Sequence, residues 1–514
     1  MLKRKLSNIA DVNEDIKTRS DTDELLFYWK DYGLPNPYKV VKDFIKEKGL
    51  KLYGGQALHE HIYKKDKKGL YSKHEFPDYD VFSPDAWNHA KELADRLNQM
   101  GYHFVEAKSS ILNDVHHQTY KVGVDLFPML DLTQVGCEPD KLDSGCKGCS
   151  VKGKNNKCIS IFNEIPALNM NEQSEKIYTE TYDYDTGASK FPKKFFVTSP
   201  DWLKVSMYRE VTEPLGNPQR LPKVGTRLKK FNKMFETKFK ANCDATKKVS
   251  IPDKVQLALD EITELMKQKS KNSIDNGISA INFYLKDIKL QEINQSYYVI
   301  NDSMIETLII PGLEKKFKGI KLSVAERKLH WKQHFDEERC IYMKNNNKKY
   351  LLVTFIEIPK CVPYIASGGK RYAVSDNIIY NLYYKRELMV PFARSEHIFY
   401  DIDCVLQEIV KNQKKYKDQP KYARYVSKCF GFEQDPRRES SEGRWIEKMK
   451  TVKKTKYYIG EPLEGYITKV YPVPKKDIRL PYRPYEKNIK KIVYKSKKKE
   501  KKYSKSELDD IKMS

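Results

Sequence analysis

One short stretch constrains the fold of this chain more than any other. Leu52-Tyr53-Gly54-Gly55-Gln56-Ala57-Leu58 is followed by Phe76-Pro77-Asp78-Tyr79-Asp80-Val81-Phe82. The first segment reads as a strand end, a glycine turn and the opening of a helix. The second reads as a strand carrying two carboxylates one residue apart. Successive strand side chains point to opposite faces, so Asp78 and Asp80 share a face while Tyr79 takes the other. Two adjacent carboxylates repel unless a cation lies between them, and Mg²⁺ together with substrate phosphates is the usual occupant. A third acid is offered by Lys121-Val122-Gly123-Val124-Asp125-Leu126-Phe127, read as another strand. Backbone N–H groups at Gly54 and Gly55, with a helix N-terminus behind them, suit phosphate oxygens. The set predicts nucleotidyl transfer. Asp78 and Asp80 would ligate the metal of an incoming triphosphate, and Asp80 with Asp125 would hold a second metal at the primer hydroxyl.

The surroundings predict an alternation of helix and strand. Residues 1–40 form an N-terminal segment and 41–200 a catalytic mixed α/β domain. Ser199-Pro200 starts a helix carrying Trp202, Val205 and Arg209. A further helix from about Pro222 to Lys240 has one apolar stripe (Val224, Leu228, Phe231, Phe235) and one basic stripe (Lys223, Arg227, Lys230). That basic stripe is either simply solvated or in contact with phosphate, of nucleotide or of RNA. Residues 201–300 are expected to form a helical middle region, with helix dominant over 252–335. Residues 301–447 read as a second α/β unit, and 448–514 as a Lys-, Tyr- and Pro-rich tail unable to fold alone. Ser367-Gly368-Gly369 and Asp401-Ile402-Asp403 superficially repeat the first motif. The second of these segments reads as a helix, on which residues two apart diverge by ~200° and share no metal. This unit is therefore expected to be non-catalytic. His59-Glu60-His61 and His116-His117 are expected at the surface.

Composition narrows the partners. Ninety-five Lys and Arg against 70 Asp and Glu leave a net charge of +25, which in a Tyr- and Phe-rich chain points to a polyanion such as nucleic acid. No apolar run reaches the ~18–20 residues of a membrane span. The basic start has no apolar segment after it, so the chain is expected to be soluble and intracellular. Cys137, Cys146, Cys149 and Cys158 could together hold a structural Zn²⁺. Only Cys146-Lys147-Gly148-Cys149 has half-site spacing, so a surface insertion over 137–158 with reduced thiols is the preferred reading.

The motif around Gly54-Gly55, Asp78, Asp80 and Asp125 resembles the core of the DNA polymerase β-like nucleotidyltransferases. Its continuation, Pro200-Asp201-Trp202 through Arg220-Leu221-Pro222-Lys223-Val224 and Arg227-Leu228, is similar to poly(A) polymerase catalytic subunits of large cytoplasmic DNA viruses, the poxvirus-like and giant-virus lineage. The resemblance implies ATP-dependent, template-independent addition of AMP to mRNA 3′ ends with Mg²⁺ or Mn²⁺, and a second, degenerate nucleotidyltransferase-like domain. It further implies a homodimer or a methyltransferase-like processivity subunit, no membrane, and a place in the host cytoplasm (the viral factory) and in the virion. Two other readings stand beside it. One is a related CCA-adding or oligoadenylate-forming enzyme; the other is an inactive RNA-binding or virion scaffold protein.

Overall fold

A computed structural model of the chain describes residues 29, 31–34, 36–71, 76, 79–109, 119–125, 127–135, 150–152, 158–171, 194–212, 220–236, 249–268, 272–299, 302–327, 338–357, 362–389, 398–423, 429–430, 456–457, 471–472 and 482–484. Asn36 caps the first helix, α1 (Pro37–Glu47): its side chain accepts the N–H of Tyr38, and Pro37 occupies a position where no N–H is needed. There follow β1 (Lys51–Tyr53), α2 (Gly54–Asp66), β2 (Tyr79–Ser83), α3 (Ala86–Gln99), β3 (Glu106–Ser109), β4 (Thr119–Val124) and β5 (Phe127–Gln134). A small hairpin, β6 (Ser150–Lys152) and β7 (Cys158–Ser160), leads to the one-turn α4 (Ile161–Glu164), then β8 (Ala167–Asn171) and β9 (Lys194–Thr198). Among the described residues, the strands outside that hairpin form a seven-stranded sheet ordered β3-β4-β5-β2-β1-β9-β8. Helices α5 (Pro200–Thr212) and α6 (Arg220–Met234) complete this unit. Ser199 caps α5 through its hydroxyl, 3.3 Å from the N–H of Trp202.

The segment expected to be mainly helical instead starts a second sheet. After α7 (Asp253–Gln268) come β10 (Ser273–Asp275), α8 (Ile278–Tyr284), β11 (Gln295–Val299), a π-turn running into α9 (Ile310–Lys316), β12 (Lys321–Arg327), β13 (Glu338–Asn345) and β14 (Lys348–Glu357). The chain closes the unit with β15 (Val362–Ser367), β16 (Lys370–Ala373), α10 (Ser375–Tyr384) and α11 (Ile402–Lys415), and β17 (Cys429–Phe430) pairs at the edge. The strand order is β12-β13-β14-β11-β10-β16-β15-β17. Apart from β17, this is the first sheet again, strand for strand. β1 runs antiparallel to β2 and parallel to β9, as β10 does to β11 and β16; β2 runs parallel to β5, as β11 does to β14. The chain therefore contains two copies of one architecture, with the second sheet beginning at Ser273 inside the stretch read as helical. Ser367-Gly368-Gly369 is the turn of the β15–β16 hairpin, with Gly368 and Gly369 at φ +56° and +75°, as a two-residue turn of that hand requires. Asp401 caps α11, accepting the N–H groups of Asp403 and Cys404, so this acid pair sits on a helix, as read.

The helices that follow the two matching strands, α5 and α10, pack against each other. Each is buried around nearly its whole circumference: Trp202, Leu203, Lys204, Val205, Met207, Tyr208 and Val211 on one, and all but Asn381 of the ten residues of the other. Tyr208 stacks on Tyr383 with ring centroids 5.9 Å apart, and the Lys204 ammonium lies 5.7 Å above the same Tyr383 ring. Arg386 ties the units together by ion pairs to Asp201 (2.5 Å), Glu387 (2.7 Å) and Asp403 (3.1 Å). One apolar core runs through both units, from Trp29 to Tyr422. On the far face of the second sheet a separate core joins α7 and α9 to β11, β13 and β14. At the free edge of the first sheet, Ala107 on β3 exchanges backbone hydrogen bonds of 2.8 and 2.7 Å with Tyr482, which covers an otherwise open strand.

Most of the tail and Cys137, Cys146 and Cys149 lie outside the described residues; Cys158 is on β7. The expectation of reduced thiols does not extend to Cys404, which is disulfide-bonded. Among the described residues no helix is long and apolar enough to cross a membrane.

Candidate active site

Gly54 opens α2 at φ +68°, a conformation that L side chains avoid. A Cβ built there would lie 2.2 Å from a carboxylate oxygen of Asp80, 2.9 Å from its Cγ and 3.0 Å from its own Cβ. Asp80, in register with Tyr53 across the antiparallel β1–β2 pair, thus rests directly on the glycine turn. Gly55 is required by a different neighbour. Its Cβ would fall 1.9 Å from the Tyr71 hydroxyl and 3.4 Å from a guanidinium nitrogen of Arg227. The two glycines leave room for two different functional side chains, besides freeing backbone N–H groups at a helix N-terminus.

Across the sheet, Asp80 pairs in register with Asp131 on parallel β5, and Asp131 pairs in turn with Lys121 on antiparallel β4. Residues opposite one another on neighbouring strands share a face. Asp80, Asp131 and Lys121 therefore form one row, and the Lys121 ammonium is ion-paired with the Asp131 carboxylate. Asp131 is buried, and the lysine beside it offsets the desolvation of a carboxylate there. The next row along the same face is uncharged: Tyr53 stacks on Phe82 at 4.1 Å and its hydroxyl is 2.7 Å from Thr133 Oγ1, which is 2.8 Å from Thr119 Oγ1.

Asp125 is elsewhere. It lies in the turn between β4 and β5 at φ +50°, not on a strand. The pair Val124–Phe127 closes that hairpin, and 131 − 127 = 4 residues along β5 separate it from the Asp80–Asp131 row, a rise of roughly 13 Å. There Asp125 accepts a 3.2 Å hydrogen bond from the indole of buried Trp29. Together with burial, the larger cause, its charge raises the pKa of the neighbouring Tyr102 phenol. Asp78 lies outside the described residues. The structure thus brings Asp80 to Gly54 and Gly55, adds Asp131, and sets Asp125 apart. Asp131 did carry a signal in the sequence: Met129-Leu130-Asp131-Leu132 is an acid in an apolar strand run, the same local pattern as Val124-Asp125-Leu126.

Of the basic stripe of α6, Arg227 lies at this turn. Arg227 reaches Tyr71, and Lys230 donates to the Gly69 carbonyl at 2.8 Å and pairs with Asp66 at 3.2 Å. Lys223 is exposed on the same helix. His59 and His61, expected at the surface, are both buried. His59 Nδ1 accepts the N–H groups of Leu70 and Tyr71, each at 3.1 Å, and burial pulls its pKa down to about 4. His61 contacts the Thr198 carbonyl at 2.8 Å, and its pKa is likewise lowered, chiefly by burial. Beneath the sheet, the Lys51 ammonium is held by three carbonyls (Phe162 at 2.6 Å, Asn163 at 3.1 Å, Ile165 at 2.8 Å), with burial lowering its pKa to about 8.

In the second copy the two acid positions of that row are aromatic, and its acid stands instead where the first copy has Tyr53. The register that pairs Tyr53 with Asp80 pairs Asp275 with Tyr297, and Asp80–Asp131 becomes Tyr297–Phe355, stacked at 6.0 Å. Asp275 itself is buried behind the turn, pushed up to about 6 by desolvation. Among the described residues no three His, Cys, Asp or Glu side chains converge as metal ligands in either copy. At the first turn the carboxylate oxygens of Asp80 and Asp131, on one sheet face, are donors that fit a hard divalent cation.

Known proteins resemble this chain. Residues 39–139 match the poly(A) polymerase catalytic subunit family. A protein of Acanthamoeba polyphaga mimivirus named as a poly(A) polymerase catalytic subunit is 24% identical over 256 residues, covering 48% of this chain and 35% of its own length. Its counterpart in African swine fever virus (strain Badajoz 1971 Vero-adapted) is 29% identical over 182 residues, covering 35% of this chain and 28% of that protein. The chain therefore spans about a third or less of these curated relatives. The crystal structure of the Megavirus polyadenylate synthase superposes with a TM-score of 0.65 over 98% of this chain and 91% of that one, at 18% identity. This chain shares its fold.

Proposed function

We propose that this chain, a homologue of viral poly(A) polymerase catalytic subunits, transfers AMP from ATP to the 3′ end of RNA without a template. The observation that carries the proposal is the seating of Asp80 on the Gly54–Gly55 turn, in register with a second buried acid, Asp131. Asp78, Asp80 and Asp131 would hold Mg²⁺ or Mn²⁺, with Asp131 taking the place the sequence assigned to Asp125. Such metal supplies Lewis-acid stabilisation of charge on the attacking and leaving oxygens. The chain's own contribution is positional: N–H groups of the glycine turn receive phosphates, and the row of acids orients the reacting centre between them and the primer. The net charge of +25 supports RNA held along its backbone, which makes binding salt-dependent and tolerant of sequence. A homodimer or a separate processivity subunit is proposed as the partner, and a cytoplasmic viral setting follows from the relatives' origins.

The test is primer extension on a short labelled RNA with each NTP singly, in Mg²⁺ or Mn²⁺, beside an Asp78→Ala/Asp80→Ala variant. Long tails from ATP alone that disappear in the variant are expected. A short defined addition or primer-free oligomers would replace this reading with a CCA-adding or oligoadenylate-forming enzyme. Metal-independent RNA binding without incorporation would leave a scaffold protein.

A further inference from the structure

The start of the α2–β2 loop, residues 67–71, is tied down residue by residue. Asp66 Oδ1 accepts the N–H groups of Lys68 (2.9 Å) and Gly69 (3.0 Å), and Lys230 binds both Asp66 and the Gly69 carbonyl. Gly69, at φ +65°, passes so close under His59 that a Cβ would fall 2.3 Å from the imidazole. The imidazole accepts the next two N–H groups, of Leu70 and Tyr71, and stacks against the rings of Tyr63 (5.6 Å) and Tyr71 (5.4 Å). All of this fixes one outcome, the place of Tyr71. Its hydroxyl lies over Gly55, and from the other side α6 brings Arg227, with a guanidinium nitrogen 3.4 Å from that hydroxyl and the guanidinium carbon 5.6 Å from the ring centroid. A hydroxyl donor and a guanidinium fork thus converge at the helix N-terminus, where an anion is favoured.

From this geometry we infer that Tyr71 and Arg227 form a clamp for the polyphosphate of the nucleotide, and that His59 is the residue positioning its tyrosine arm. The inference rests on the nucleotidyltransferase reading and deepens it: Arg227 is assigned to the nucleotide rather than to the RNA backbone. No base edge is involved, so the clamp serves any nucleoside triphosphate and inorganic pyrophosphate alike. Selection of adenine therefore lies outside it.

The experiment uses the full chain and two readouts besides activity. ATP and pyrophosphate binding in Mg²⁺ are measured by calorimetry, and primer RNA binding by fluorescence anisotropy at fixed salt, for wild type, Tyr71→Phe and Arg227→Lys. Loss of one hydrogen bond to a charged acceptor predicts about tenfold weaker binding of ATP and of pyrophosphate in Tyr71→Phe. RNA affinity should stay at the wild-type value in both variants. In steady state KM for ATP rises in step with the loss of ATP binding, while RNA affinity is unmoved, a pattern that a merely structural role would not give. Weakened RNA binding with unchanged ATP binding would assign the pair to the RNA backbone and overturn the clamp, as would wild-type values throughout. If the wild type binds ATP but extends no primer, the polymerase reading falls while the same binding comparison still decides the clamp. A wild type that binds neither ATP nor pyrophosphate overturns both.

Discussion

Gly54→Ala separates positional chemistry from backbone strain, because a second glycine supplies the strain alone. At Gly54 the new methyl would sit 2.2 Å from an Asp80 oxygen. Ordinary contact begins near 3.4 Å, so the carboxylate has to give way by 3.4 − 2.2 = 1.2 Å, and with Cγ and Cβ also crowded the whole side chain moves. A misplacement of about 1 Å at a reacting centre costs about 10²-fold in rate. The positive φ of +68° adds a strain of about 1–2 kcal/mol for any L residue. Gly369→Ala is the control: φ is +75°, yet nothing lies within 4 Å of its Cβ position. It should lose a similar 1–2 kcal/mol, roughly, of stability and keep the wild-type rate. Single-turnover AMP incorporation with saturating ATP, alongside urea denaturation followed by circular dichroism, reads both effects. If Gly54→Ala retains the wild-type rate, or Gly369→Ala loses rate as much as Gly54→Ala does, the placement of Asp80 on the turn is not what the chemistry depends on.

Three further expectations follow from the site. Asp131→Asn should reduce incorporation to background, whereas Asp125→Asn should retain it and lose only about 1 kcal/mol through the weakened Trp29 hydrogen bond; the reverse order in the same assay would restore Asp125 to the metal site. His59 stays neutral in the folded chain to about pH 4, while the unfolded imidazole protonates near 6.5. Its contribution is therefore complete above pH 6.5 and is lost as pH falls from 6.5 toward 4, where the unfolded state binds a proton that the folded state refuses. His59→Gln should remove up to about 1.4 kcal/mol per pH unit from the acid limb of stability, measured as denaturation midpoints against pH, and an unchanged slope would exclude His59 as a source. Arg386→Ala leaves Asp201, Glu387 and Asp403 without their shared cation, with an expected loss of about 1–3 kcal/mol; denaturation at the wild-type midpoint would show that the ion pairs contribute nothing net.

Much of this could be read from residues alone, where the information is local. A glycine pair after an apolar run announced a turn opening a helix, and Asp401 with Asp403 read as lying on a helix rather than at a metal site. Ser199-Pro200 announced α5. What escaped reading depended on pairing between distant segments. Val124-Asp125-Leu126 and Leu130-Asp131-Leu132 are locally alike, and only the hairpin register, shifted at Val122/Gly123, puts one in a turn and the other beside Asp80. The three residues of β10 are too few to show a strand period between two helices, so the second sheet was placed too late. The burial of His59 is set by the 66–71 loop folding back onto α2, which no spacing in the sequence reveals.

The mutual burial of α5 and α10 explains how one copy could give up its carboxylates and still be kept. Each unit forms part of the other's interior, so a chain cut between α6 and α7 would yield not one active half and one dispensable half but two halves with bare central helices. Tyr297 and Phe355 pair with each other across their two strands, whereas Tyr383 and Arg386 answer to Tyr208 and Asp201 on the far side of the joint. The second copy, with aromatic rings at the positions of Asp80 and Asp131, serves the first by covering its central helix.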